Sequence, residues 1–265
     1  MGLRTKVRTL LDPEKRLHAR LQAQRRKLNT QRPHPLTPAA IISTLDPTQL
    51  QSILSPEANP GAGIHTEKYL EMEKWLPTNI RRILNLGLDI APPARLLDLG
   101  SGAGYFLYIA KLLGHTVAGL DVNDPTAAWY TKMFQLYQIP RTIWYILPRV
   151  PLPDLGPRFD YVTAFMACFN QPKTDNTWGV PEWQFFLDDL QTHLNPKAIV
   201  WFELNPRLDG SLYTPALETF FKSRGAIVDG KRLIWGISPL EYKVLQSLAK
   251  SETAAMRKSA TPALT

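Results

Sequence analysis

Residues 96–121 read LLDLGSGAGYFLYIAKLLGHTVAGLD. An apolar run closes on Asp98 and is followed by glycines at three alternate positions, Gly100, Gly102 and Gly104. A helix-patterned segment, Tyr105 to Leu113, comes next, and a second apolar run, Thr116 to Leu120, closes on Asp121. Strand, glycine loop, helix and strand in that order make a βαβ unit with a crevice at its carboxyl edge. Glycine is needed in such a loop because the chain turns sharply and a ligand must touch bare backbone. An acid at the end of the second strand is placed to accept hydrogen bonds from both hydroxyls of a ribose.

The glycine spacing selects among nucleotide-like ligands. A dinucleotide fingerprint, G-x-G-x-x-G, requires a third glycine five residues after the first. Counted from Gly100, that position is Tyr105. Asp98 would also repel a pyrophosphate brought to the helix N-terminus, whereas it suits a ligand carrying an ammonium group. The stretch resembles the cofactor motif of class I S-adenosylmethionine-dependent methyltransferases, (D/E)-x-G-x-G-x-G, with Asp98, Gly100, Gly102 and Gly104 in the motif and Asp121 in the ribose position. The resemblance implies S-adenosyl-L-methionine as cofactor and methyl transfer as activity. It also implies that Gly100, Ser101 and Gly102 line the methionine moiety, that Asp98 faces its ammonium group, and that Val122 lies against adenine. Many family members carry an adenine-binding acid after the third strand. Here Ile146, Leu147, Pro148 and Arg149 stand there, so that residue is missing or displaced.

The remaining pattern extends the same architecture. The expected strands are Arg95–Leu99, Thr116–Leu120, Thr142–Ile146, Phe159–Phe165 and Ala198–Leu204, with short ones near Ala226–Val228 and Arg232–Trp235. Helices are expected over Tyr105–Leu113, Thr126–Tyr137, Glu182–Leu194 and Tyr213–Ser223. The alternation predicts an α/β, Rossmann-like, seven-stranded and mostly parallel sheet with helices on both faces. The last two strands are close enough to form the hairpin that the family's antiparallel seventh strand requires. Ahead of the sheet, His65–Leu86 should be helical and broken at Pro77. Four segments follow: a basic amphipathic helical arm (1–32), a Pro-rich linker with a short helix near Pro47–Leu54 (33–62), the methyltransferase domain (63–246) and a flexible tail (247–265).

The formal net charge of +8 belongs to the arm. Residues 1–32 contain ten Lys or Arg against Asp12 and Glu14, and the rest of the chain is balanced at 21 of each sign. In the arm Leu3, Val7, Leu10, Leu11, Leu17, Leu21 and Leu28 recur at helical spacing, and Asp12-Pro13 signals a helix start. Such an arm suits an anionic membrane surface, a nucleic acid, a partner helix, or docking on its own domain. Cys168 is the only cysteine, which excludes an internal disulfide and a thiolate metal site. No metal site, transmembrane run or signal peptide is expected, and a cytoplasmic location is the simplest reading.

The acceptor side carries no comparable motif. Asn170 can hydrogen-bond an acceptor, and Phe169, Trp178 and Trp183 offer an aromatic wall, although aromatics between a strand and a helix commonly serve packing. His65 at the mouth of the upstream helix is a candidate base, Tyr69 a candidate contact to the cofactor carboxylate, and Glu203 a candidate that strand-end cations often neutralise. The leading expectation is methyl transfer to a small-molecule or glycan-like acceptor, with acceptor and methyl donor held in line. The alternatives are a nucleic-acid methyltransferase using the basic arm and a non-catalytic methyltransferase-like scaffold. Against the former, Cys168-Phe169-Asn170-Gln171-Pro172 lacks the Asn/Asp-Pro-Pro-aromatic pattern of amino-methylating enzymes.

Overall fold

The computed structural model describes residues 12–55, 58–59, 64–167, 169, 178–207 and 209–260. The chain divides into two compact units. One comprises residues 1–60, 67–92 and 238–265, and the other residues 61–66 and 93–237.

The second unit holds the sheet. Its strands are β1 (Arg95–Leu99), β2 (Thr116–Asp121), β3 (Arg141–Ile143), β4 (Phe159–Ala167), β5 (Leu194–Leu204), β6 (Ile227–Asp229) and β7 (Arg232–Trp235). They are ordered β3-β2-β1-β4-β5-β7-β6. Strands β1 to β5 pair in parallel, and β7 runs antiparallel to both β5 and β6. Leu96, Leu97, Val162, Phe202 and Leu233 are buried on the central strands, as expected where helices cover both faces of a parallel sheet. The expected sheet and the hairpin of the last two strands are both present. The third strand is shorter than the apolar run suggested: its register with β2 ends at Ile143 opposite Asp121, the last residue of β2, and the Trp144 N–H makes one further bond to the Asp121 carbonyl.

Helices alternate with these strands. Tyr105–Leu112 follows the glycine loop, Trp129–Tyr137 follows a single 3-10 turn at Pro125–Ala127, and Val180–Thr192 and Pro215–Ser223 flank β5. Trp183, wholly buried, anchors a cluster with Phe186, Phe202 and Phe221 on one side of the sheet.

The other unit is helical among its described residues. In chain order its helices are α1 (Pro13–Gln31), α2 (Pro38–Ile42), α3 (Pro47–Leu54), α4 (Met72–Leu86) and α5 (Pro239–Ala260). Helix α1 starts where Asp12-Pro13 predicts, with the Asp12 carboxylate accepting the N–H groups of Glu14 at 3.0 Å and Lys15 at 3.3 Å. It is not a free arm: Leu21 and Arg25 are buried, α5 packs against it, and Lys243 on α5 pairs with Glu14 at 2.8 Å. Pro77 sits inside α4 instead of breaking it, and the interruption falls at Glu71, between a 3-10 turn and α4. Residues 247–260, expected as flexible tail, continue helix α5, whose Leu248 and Ala249 are buried.

Candidate active site

The glycine loop is held from below by β2. The N–H groups of Gly100 and Ser101 both donate to the Leu120 carbonyl, at 2.8 and 3.3 Å. Gly100, Gly102 and Gly104 all adopt positive φ, at 68°, 53° and 73°. Two of the loop positions differ in what surrounds them. A Cβ on Gly100 would meet nothing within 4 Å, so the backbone there is open to a ligand. A Cβ on Gly104 would lie 2.8 Å from the Phe134 ring, and one on Gly119 in β2 would lie 2.6 Å from the same ring. The ring of Phe134, from the helix after β2, thus docks beneath the loop and occupies the space two side chains would need.

The two acids sit at the ends of adjacent strands. Asp98 is buried at 3% exposure and accepts a hydrogen bond from the Thr163 hydroxyl of β4 at 2.6 Å. Asp121 accepts the Gly102 N–H through Oδ2 at 2.6 Å and the Val122 N–H through Oδ1 at 2.8 Å. Each of its oxygens keeps a second acceptor site for an outside donor. Burial pushes the Asp121 carboxyl above its ordinary value of 3.8. The N–H bonds from Val122 and Gly102 and the charge of Arg141 oppose that rise, and the charge of Asp124 adds to it. Arg141 donates to the Val122 carbonyl at 3.0 Å and to the Thr131 hydroxyl at 2.6 Å, and its guanidinium lies 5.7 Å from the Phe134 ring centre. Ser101 turns its hydroxyl inward, to 2.7 Å from where a Gly119 Cβ would be, so this residue offers the crevice its backbone.

Strand order 3-2-1-4-5-7-6, an antiparallel seventh strand, and an acid-flanked glycine loop leading from the first strand to the second form one recognised arrangement. The chain has the class I methyltransferase fold. No family model and no curated protein sequence matches it. Among solved structures it is similar to Streptomyces venezuelae DesVI, at 18% identity and TM-score 0.47, over 64% of this chain and 95% of that one. It is also similar to the ribosomal protein L11 methylase of Lactobacillus delbrueckii subsp. bulgaricus, at 18% identity and TM-score 0.39, over 59% and 76%. A SAM-bound amino pentose methyltransferase of Micromonospora echinaspora follows at 23% identity and TM-score 0.35, over 48% and 49%.

Asp98, Gly100, Ser101, Gly102, Gly104, Asp121 and Val122 are brought together at the carboxyl ends of β1 and β2 of this fold. From Ile143, the last residue of β3, the side chains alternate. Trp144 and Ile146 pack against the core, whereas Ile143, Tyr145 and Leu147 are exposed, and Trp144 donates its N–H to the Asp121 carbonyl at 2.9 Å. Register sets Ile143 opposite Asp121.

The acceptor-side candidates are placed less favourably. Phe169 and Trp178 lie 5.2 Å apart between ring centres and pack with Trp183 and Phe186 against the sheet's core. Asn170 lies outside the described residues. His65 falls within the short helix Ile64–Glu67, and its side chain lies outside the described ones. Tyr69 belongs to the helical unit, where its ring packs on Trp75 at 4.4 Å. Glu203 is buried and neutralised by Lys231 at 3.3 Å and Arg232 at 3.5 Å, so cation pairing accounts for it. Sequence reasoning missed Thr163, Phe134 and Arg141. Only Thr163 left a signal, as the one aliphatic hydroxyl in the strand FDYVTAF. No group of three or more metal-capable side chains occurs among the described residues, and none of their helices is long and apolar enough to cross a membrane.

Proposed function

We propose that this protein is an enzyme that transfers a methyl group from S-adenosyl-L-methionine to a small-molecule or glycan-like acceptor. The observation that carries the reading is the pair of strand-end acids, Asp98 and Asp121, on either side of a loop whose Gly100 is open to a ligand. Asp98, held by Thr163, would face the ammonium group of the cofactor. The second acceptor sites of the Asp121 oxygens would take the two ribose hydroxyls. Val122 and the exposed Ile143, set opposite Asp121, offer an apolar surface to adenine.

The cofactor supplies a methyl group on a positively charged sulfur, a leaving group that departs as a neutral thioether. The chain's own contribution is therefore positioning and exclusion of water more than acid–base chemistry. Gly100, Ser101 and Gly102 present backbone to the methionine portion, and the docked Phe134 ring keeps the loop in that shape. Asp121, tied to the Gly102 and Val122 N–H groups, links the ribose position to the loop.

Thermal unfolding with S-adenosylhomocysteine, the demethylated product, tests the reading. A ligand that binds only the native state raises the transition by mass action. The wild-type protein should show the shift and Asp121→Ala should lose it. An unmoved wild-type transition at saturating product would overturn the cofactor assignment. Methyl transfer to glycan-containing or small-molecule pools, followed with radiolabelled methyl donor, then tests the acceptor class.

A further inference from the structure

The net charge of the chain lies in one unit. The helical unit contains 18 Lys and Arg against 10 Asp and Glu, and the sheet-bearing unit contains 13 of each sign. Within the helical unit the excess gathers on α1. At 100° per residue, Arg16, Arg20 and Lys27 fall within about 40° of one another, and Arg26 lies on the adjoining flank. The row from Arg16 to Lys27 is about 16 Å long. All four side chains are exposed, and none has an acidic partner among the described residues. The acids at the start of the helix are already engaged, Asp12 capping the helix and pairing with Lys15, and Glu14 pairing with Lys243.

The opposite side of α1 is held against the helical unit. Leu21 is buried, Gln24 donates to the Ile90 carbonyl at 2.8 Å, and Arg25 binds both carboxylate oxygens of Asp89, at 2.5 and 2.9 Å, and the Leu84 carbonyl at 3.1 Å. The helix is therefore anchored through Leu21 and Arg25, with Arg16, Arg20, Arg26 and Lys27 turned outward. Its apolar side is unavailable for insertion into a bilayer, and any attraction through the outer side is electrostatic.

We propose that this outer face of α1 docks on an anionic phospholipid surface. Ala19 and Ala23 separate the cations, so the face is low and even, as a plane of headgroups requires. Each cation near an acidic leaflet contributes on the order of 1 kcal/mol, so four make a reversible, salt-sensitive attachment. A nucleic acid is the less suitable occupant on two counts. The face carries no aromatic side chain on which bases stack. The sheet-bearing unit is electrically balanced, so it offers no net positive field to a polyanionic acceptor. The assignment does not depend on the proposed methyl transfer.

Cosedimentation of the full-length protein with vesicles tests it. One set contains phosphatidylcholine alone and the other roughly a third phosphatidylglycerol. Binding is expected only to the anionic vesicles and should fall as salt rises. The variant Arg16→Gln/Arg20→Gln/Arg26→Gln/Lys27→Gln should weaken it at least about tenfold while its melting temperature stays that of the wild type. A conservative variant, Arg16→Lys/Arg20→Lys/Arg26→Lys, should retain binding and serves as the control for a purely structural effect. Equal sedimentation with neutral vesicles, or undiminished binding by the Gln variant, would overturn the proposal. So would retention of single-stranded RNA by a protein that leaves anionic vesicles alone.

Discussion

The Asp121 carboxylate accepts the Gly102 N–H at 2.6 Å, which joins the end of β2 to the middle of the glycine loop. The acid proposed to bind the ribose and the backbone proposed to line the methionine portion are therefore joined by a direct hydrogen bond. A change at Asp121 alters both, which makes it the most informative position to vary.

Asp121→Ala should weaken binding of S-adenosylhomocysteine by about 100-fold. Two hydrogen bonds from ribose hydroxyls to a charged acceptor are lost, each of about 1.5 kcal/mol or more. Calorimetric titration measures this directly. Retention of wild-type affinity would show that the ribose lies elsewhere.

Binding should also loosen in acid, and earlier than an ordinary aspartate would dictate. Burial raises the Asp121 pKa from 3.8 in the unliganded fold, and a ribose prefers the ionised form as acceptor. Below that raised pKa the dissociation constant should grow about tenfold per pH unit. The sign for stability is the reverse. The folded state holds this proton more tightly than the unfolded chain, so the stabilisation is complete below the unfolded pKa and is lost as pH rises through the folded one. Arg141→Met removes the cation that opposes the shift and should move the onset of weakened binding to higher pH. Titrations of both proteins across the acid range would check the displacement.

Gly104→Ala should destabilise the protein by about 1–3 kcal/mol. The new Cβ would lie 2.8 Å from the Phe134 ring at a φ of 73°, where a side chain is strained as well as crowded. Phe134→Leu in the same chain should recover part of the loss, because it relieves the crowding but not the backbone strain. Chemical denaturation of the single and double variants measures the coupling, and simple additivity would remove Phe134 from the account.

In the helical unit, Asp89→Ala should cost about 3–5 kcal/mol, since it leaves the Arg25 guanidinium buried without its countercharge. The two side chains are 1% and 0% exposed, so solvent does not replace the partner. The double change Arg25→Met/Asp89→Leu should recover most of that stability. Urea denaturation separates the two outcomes.

Local pattern reaches a definite depth in this chain. Glycines at alternate positions, acids at two strand ends and period-matched apolar runs are all contained in short windows, so the βαβ unit and the order of elements were readable directly. The start of α1 was equally local, because Asp12 and Pro13 act on the N–H groups of the next turn. The third strand was overextended because an apolar run does not reveal where its neighbour in the sheet ends. The same limit hid the roles of Phe134 and Arg141, which act on positions distant in sequence through the packing of one helix and one strand against the loop.

The amino-acid sequence by itself determined the fold class and which residues gather at the glycine loop, because those depend on spacing within a few residues and on the conformations glycine allows. Only the tertiary structure decided that α1 is anchored with Arg25 inward and Arg16, Arg20, Arg26 and Lys27 outward, since its anchoring depends on Asp89 and Ile90, more than sixty residues away along the chain. It also decided that Phe169 and Trp178 pack on the core and that Glu203 is neutralised, because each depends on side chains the fold delivers from other strands and helices.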